Sequence, residues 1–193
     1  MNEEIDNTNE EEIQQTVRKL KTGKSPGPDG ISAEHLKHMP SELIPYLINI
    51  INLIFMEKDV PQGVKEGVLT PVLKNGKDRL YPENYRGITV TSTFSTVVEG
   101  IIKDRIEPIF LKTQCKLQRG FTEKTSSLNT AFIVSQTSEH YQDLLEELIL
   151  ITLDAQKAFD KLQHEILFNK IYHDGITGNI YVALVTKYVR ECD

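Results

Sequence analysis

The sequence has no tryptophan, only 7% aromatic residues, and two cysteines, Cys115 and Cys192, placed far apart. That spacing gives neither a disulfide framework nor a zinc site, and it fits a reducing setting. The longest apolar run, around Leu47 to Phe55, is broken by Asn49 and Asn52, so no membrane span is indicated. The N-terminus is acidic where a secretion signal would be basic and then apolar, and no Asn-x-Ser/Thr acceptor occurs. The expectation is an intracellular protein, in nucleus or cytoplasm, that is neither secreted nor membrane-bound.

What is present is an ordinary core-forming composition: 193 residues, 39% hydrophobic and 26% charged, enough for one good-sized domain or two small ones. The net charge of −6 would argue against a general nucleic-acid binder if it were evenly spread, because phosphate neutralisation needs clustered cations. Residues 1–13, however, hold six acids and no base, residues 14–125 hold 17 Lys/Arg against 12 Asp/Glu, and residues 126–193 hold 5 against 10. An acidic lead, a basic middle and an acidic last third result. The basic middle suits either a phosphate-bearing partner or a solvated surface with chance bias.

Ile13, Val17 and Leu20 recur at helical spacing behind acids in the first turn, which predicts a helix over residues 9–20. Lys24-Ser25-Pro26-Gly27-Pro28-Asp29-Gly30 then enforces a rigid loop. Ser32 reads as an N-cap, and a helix over about 41–58 is apolar on most of its faces, which predicts burial all round. Residues 67–74 and 84–90 read as the strands of a hairpin, joined through Asn75-Gly76 and a polar tip with Lys77, Asp78, Arg79 and Pro82. Helices follow at about 95–111 and 126–139. Glu147 to Leu153 is too short and too apolar for an exposed element and predicts a central strand ending at Asp154. A helix carrying Phe159, Leu162, Ile166, Leu167 and Ile171, stopped at Asp174-Gly175, and another from Gly178 complete an α+β pattern.

Asp154 is the residue that most invites a chemical reading. A carboxylate at the end of a buried strand needs a compensating cation or donor, so it is either a metal ligand or a helix cap or ion-pair partner. Phe159, taken alone, is a core aromatic at helical spacing. Lys74, taken alone, is a solvated hairpin lysine. Gly23-Lys24-Ser25 ends like a phosphate-binding P-loop, but Lys19 stands where that motif demands glycine, which excludes it.

The run Leu153-Asp154-Ala155-Gln156-Lys157-Ala158-Phe159-Asp160-Lys161-Leu162-Gln163-His164 resembles the first palm motif of reverse transcriptases from non-LTR retrotransposons. Other blocks follow that family's order. Lys24 to Ile31 resembles its Gly-Pro-Asp-Gly loop, Asn84-Tyr85-Arg86 with Ile88 its fingers motif, and Gln118-Arg119-Gly120-Phe121 with Ser126 and Ser127 the block before the palm strand. The resemblance covers residues 11–193. It implies a right-hand polymerase fold that is mostly helical, with residues 1–13 an acidic lead, 14–145 the fingers and fingers-palm region, and 146–193 a partial palm with the first catalytic motif.

By the same resemblance, Asp154 and the Ala155 carbonyl would bind Mg²⁺, Phe159 would lie under the sugar of the incoming nucleotide, and Asp160 would cap or orient the following helix. Arg86, with Lys74, would contact the triphosphate of a dNTP added to a DNA primer on an RNA template. Lys24 and its loop would face template or brace the fingers. Three positions depart from the pattern: Gly87 where proline is common, Thr96 where lysine is frequent and Thr122 where arginine is frequent. No adjacent Asp-Asp pair occurs, and the chain stops at Asp193 before the motif that would hold one. The resemblance therefore implies RNA-directed DNA polymerase ancestry, with this chain inactive alone; the alternative is a non-enzymatic retroelement remnant that binds nucleic acid or protein.

Overall fold

A computed structural model describes residues 7–155, 158 and 161–188. They form two compact units, one comprising the chain up to Phe110 and from His164 onward, the other Leu111–Gln163.

The first unit opens with α1, Glu10–Lys19. Asn9 caps it by accepting from the Glu12 amide (3.0 Å) while Glu12 accepts from the Asn9 amide (3.2 Å), a capping box that satisfies two otherwise orphaned donors. Three acids in the first turn and two bases in the last complement the helix dipole. The loop of residues 24–31 leads into α2, Ala33–Lys37, and then into α3, Ile44–Glu57. A short α4, Gln62–Lys65, enters the hairpin of β1, Gly67–Leu73, and β2, Tyr85–Thr91. Helix α5, Thr93–Thr113, leaves it and runs on into the second unit. The first unit closes with α7, His164–His173, and α8, Gly178–Tyr188. Gly175, at φ +96°, turns the chain between them in a conformation that suits glycine.

The core joins Ile13 and Val17 of α1, Ile51, Ile54 and Phe55 of α3, Val97, Val98, Ile101 and Ile102 of α5, and Ala183 of α8. Each buried Val, Ile or Phe side chain contributes about 1.5–3 kcal/mol relative to exposure. The prediction that α3 is buried all round is corrected. One face carries Ile44, Ile51, Ile54 and Phe55 inward, while Leu43, just ahead of the helix, and Tyr46, Ile50, Leu53 and Met56 stay exposed. Apolar composition reports how much surface could be buried, and the number of neighbouring elements decides how much is.

The second unit contains α6, Ser127–Asp143, with Ser126 as its N-cap (Asn129 amide to Ser126 Oγ, 3.4 Å). The predicted palm strand at 147–153 is also corrected. Those residues are irregular, and Ile149, Ile151 and Leu153 are 76%, 80% and 95% exposed. A strand exists only with a ladder partner, and the sheet found among the described residues is β1 paired with β2 alone. The following helix starts at His164, so Leu162 precedes it, and Phe159 and Asp160 lie outside the described residues.

Candidate active site

The hairpin positions two of the sequence-predicted residues. Val72 pairs with Arg86 and Leu73 with Tyr85, and the ladder continues as the Lys74 amide donates to the Asn84 carbonyl (2.8 Å). In an antiparallel pair, opposed residues share a face and alternate residues return to it. Lys74 and Arg86 therefore lie on one face, with Val68, Val72, Ile88 and Val90 behind them.

Their surroundings differ. The Lys74 ammonium donates to the Glu83 carbonyl (2.7 Å), so part of its hydrogen-bonding capacity closes the hairpin. Arg86 is exposed and has no hydrogen bond or ion pair among the described residues, leaving its five donors available. The tip between the strands is bonded to itself. Gly76 (φ +69°) turns the chain, the Lys77 amide reaches the Lys74 carbonyl (3.2 Å), and Tyr85 Oη donates to the Arg79 carbonyl (3.1 Å). At Gly87 an added Cβ would come within 2.9 Å of Leu69 Cδ1. The leucine thus occupies the space that a larger residue at 87 would claim.

The loop of residues 24–31 packs on the base of this hairpin. A Cβ on Gly27 would fall 2.6 Å from the Thr91 carbonyl oxygen and 2.6 Å from Ser92 Cα, so main chain meets main chain there and only glycine fits. The loop is fixed by Gly30 N–H to the Gly27 carbonyl (3.0 Å), Ile31 N–H to Asp29 Oδ1 (3.0 Å) and Thr93 Oγ1 to the Ile31 carbonyl (2.5 Å). Pro28 and Asp29 fill the centre of that turn. Lys24 is exposed. The proline and glycine content signals a rigid loop; the contact with Thr91 and Ser92 is long-range, and composition could not locate it.

In the second unit, Asp154 and Ala155 are exposed on irregular backbone. Among the described residues, no three carboxylate, histidine or cysteine side chains are gathered into one cluster. Thr122 is used internally, accepting from Gln114 Nε2 (2.7 Å). An open groove of about 690 Å³ runs beside Arg119 and Gly120 and along Ser127, Ala131 and Val134 of α6. Arg86 and Lys74 thus belong to one unit and Asp154 and Ala155 to the other.

These residues fall within a segment, 72–190, that matches the family model for reverse transcriptase (RNA-dependent DNA polymerase). The chain belongs to the reverse transcriptase family. It is 29% identical over 163 residues to the "Probable RNA-directed DNA polymerase from transposon BS" of Drosophila melanogaster, covering 83% of this chain and 18% of that protein. It is 24% identical over 183 residues to the transposon TX1 uncharacterized 149 kDa protein of Xenopus laevis, covering 94% of this chain and 14% of that one. The RNA-directed DNA polymerase from mobile element jockey of Drosophila funebris is 27% identical over 162 residues, with coverage of 83% and 18%. The reverse transcriptase segment is thus of the non-LTR retrotransposon kind. It spans less than a fifth of the length of these curated relatives. Reverse transcriptases are generally divalent-metal dependent, and the helices plus one small sheet seen here agree with part of a polymerase fold.

Proposed function

We propose that this reverse transcriptase segment supplies the fingers and the first palm motif of an RNA-templated DNA polymerase with a right-hand fold. In this reading the exposed guanidinium of Arg86 grips the triphosphate of the incoming dNTP bidentately, and Lys74 adds a point charge on the same hairpin face. The observation that carries the reading is Arg86 itself: an arginine without a partner among the described residues, next to a lysine, on a hairpin projecting from the core. Phe159 would lie under the nucleotide sugar, Asp154 would give one carboxylate to Mg²⁺, and the Ala155 carbonyl would assist. The primer 3′-hydroxyl would attack in the two-ion manner of such enzymes, with further carboxylates required beyond Asp154. RNA template and DNA primer are the partners this chemistry needs, in an intracellular setting.

A second reading is a nucleic-acid-binding segment without catalysis. It draws on the absence of gathered metal ligands among the described residues and of any adjacent Asp-Asp pair in the sequence. Primer extension on RNA with Mg²⁺, run beside salt-dependent RNA and dNTP binding, separates the two. Extension by this chain that is lost in Asp154→Ala establishes the enzyme reading for these 193 residues alone. Binding weakened by Arg86→Ala, without extension, assigns them the binding part of a larger catalytic unit. Binding unaffected by Arg86→Ala refutes the proposed grip.

A further inference from the structure

The β1–β2 hairpin has little to hold it in place. Val68, Leu69 and Ile88 are 53%, 66% and 49% exposed, so neither face is packed, and a two-stranded ribbon is marginal without a hydrophobic face to rest on. Its pose depends on what happens at its base.

That base is a buried polar node. Ser95, fully buried in the first turns of α5, donates through Oγ to the carbonyl of Val64, in the helix that leads into β1 (2.9 Å). Its amide donates to Oγ of Ser92, the residue following β2 (3.0 Å). The chain entering the hairpin and the chain leaving it are therefore tied through one residue.

A charged donor reaches Ser95 from α8. The Lys187 side chain is just 4% exposed, and its ammonium lies 2.6 Å from Ser95 Oγ and 2.7 Å from Glu99 Oε1. A buried ammonium is costly unless paired and hydrogen-bonded, and both conditions are met here. Tyr188 Oη donates to the same Glu99 oxygen (3.0 Å), and Thr186 Oγ1 to the Lys58 carbonyl (3.3 Å), so the last turn of α8 is fastened on both sides of the node.

We propose that Lys187 is a positioning residue: through Ser95 it sets the pose of the β1–β2 hairpin and, with it, the presentation of Arg86 and Lys74. Lys187 itself does not contact the triphosphate proposed for those two residues. Its effect on triphosphate binding rests on the function proposed above, whereas its effect on the hairpin does not.

Backbone hydrogen exchange on the full chain tests the assignment, comparing wild type, Lys187→Met, Ser95→Ala and the double variant. Lys187→Met is expected to accelerate exchange over Gly67–Leu73 and Tyr85–Thr91 by about tenfold while leaving α1 unchanged. The double variant should be no faster than the faster single one, because both act through one node. Glu99→Gln, which keeps a neutral acceptor, should fall between and serves if Lys187→Met does not fold. Unchanged hairpin exchange, acceleration spread evenly over all elements, or additive effects would overturn the proposal. In parallel, a fluorescent deoxynucleoside triphosphate should bind several-fold more weakly to Lys187→Met. Local acceleration with no triphosphate binding by wild type would uphold the positioning role and refute the proposed function instead.

Discussion

Arg105 holds Glu12 by two parallel contacts of 2.8 Å, Nε to Oε1 and a terminal nitrogen to Oε2, and so joins the middle of α5 to the first turn of α1. The guanidinium also sits 5.6 Å from the centre of the Phe55 ring and donates to Thr8 Oγ1 (3.3 Å). One arginine thereby ties α1, α3 and α5, the three helices whose apolar faces make most of the core. Arg105→Lys would lose the fork, and Arg105→Ala should destabilise by about 1–3 kcal/mol in chemical denaturation.

The same pair makes stability pH-dependent. The Arg105 hydrogen bond, aided by the Asn9 amide and opposed by partial burial, holds the Glu12 carboxyl below the usual carboxylate range. Because the folded value is the lower one, the stabilisation is complete above the unfolded value and is lost as pH falls through the folded value. The thermal midpoint of wild type should therefore drop on acidification below about pH 4.5 more steeply than that of Glu12→Gln, which starts lower at neutral pH.

Two glycines in the 24–31 loop should respond to alanine for different reasons. Gly27→Ala drives a methyl into the main chain of Thr91 and Ser92, at an expected cost of about 1–3 kcal/mol, and displaces the loop from the hairpin base. Gly30 has open space around it but a φ of +71°, so Gly30→Ala should cost about 1 kcal/mol from backbone strain alone. Denaturant midpoints, with hydrogen exchange at Thr91 and Ser92, distinguish the two cases.

Arg86 and Lys74 should separate in the same way. Arg86→Ala removes no hydrogen bond or ion pair among the described residues and should change stability by less than about 0.5 kcal/mol while weakening triphosphate binding. Lys74→Met removes the bond to the Glu83 carbonyl and should cost about 0.5–1.5 kcal/mol, read as faster exchange at the hairpin tip. Equal stability effects would contradict the difference in their surroundings.

The exposed run from Glu147 to Leu153 carries a solubility prediction. It combines high β-propensity with apolar side chains and has no proline or glycine, the pattern of a segment that pairs with other chains. Ile151→Lys should lower concentration-dependent light scattering without shifting the unfolding midpoint, since Ile151 is 80% exposed.

Local chemistry makes much of the fold legible. The capping box at Asn9, the N-caps at Ser32 and Ser126, the hairpin around Asn75-Gly76 and the stop at Gly175 each depend on residues within a few positions of one another. The hairpin follows from turn residues close in sequence, which is why Lys74 and Arg86 are assigned to its two sides from sequence alone. Order and spacing of short motifs are also enough to recognise the family.

What the sequence by itself determined, then, was the type of each locally closed element and the kin of the chain. Tertiary structure decided everything that needs a distant partner. Glu147 to Leu153 has the composition of a central strand, yet a strand is made by its neighbour, and none pairs with it among the described residues. α3 has apolar residues all round, yet only the face meeting α1, α5 and α8 is buried. Lys187 reads as an ordinary lysine near a helix end, and only the approach of α8 to Ser95 and Glu99 turns it into a buried charge. Hydrogen-bond partners and burial are properties of pairs of segments, so they appear only once the chain has brought those segments together.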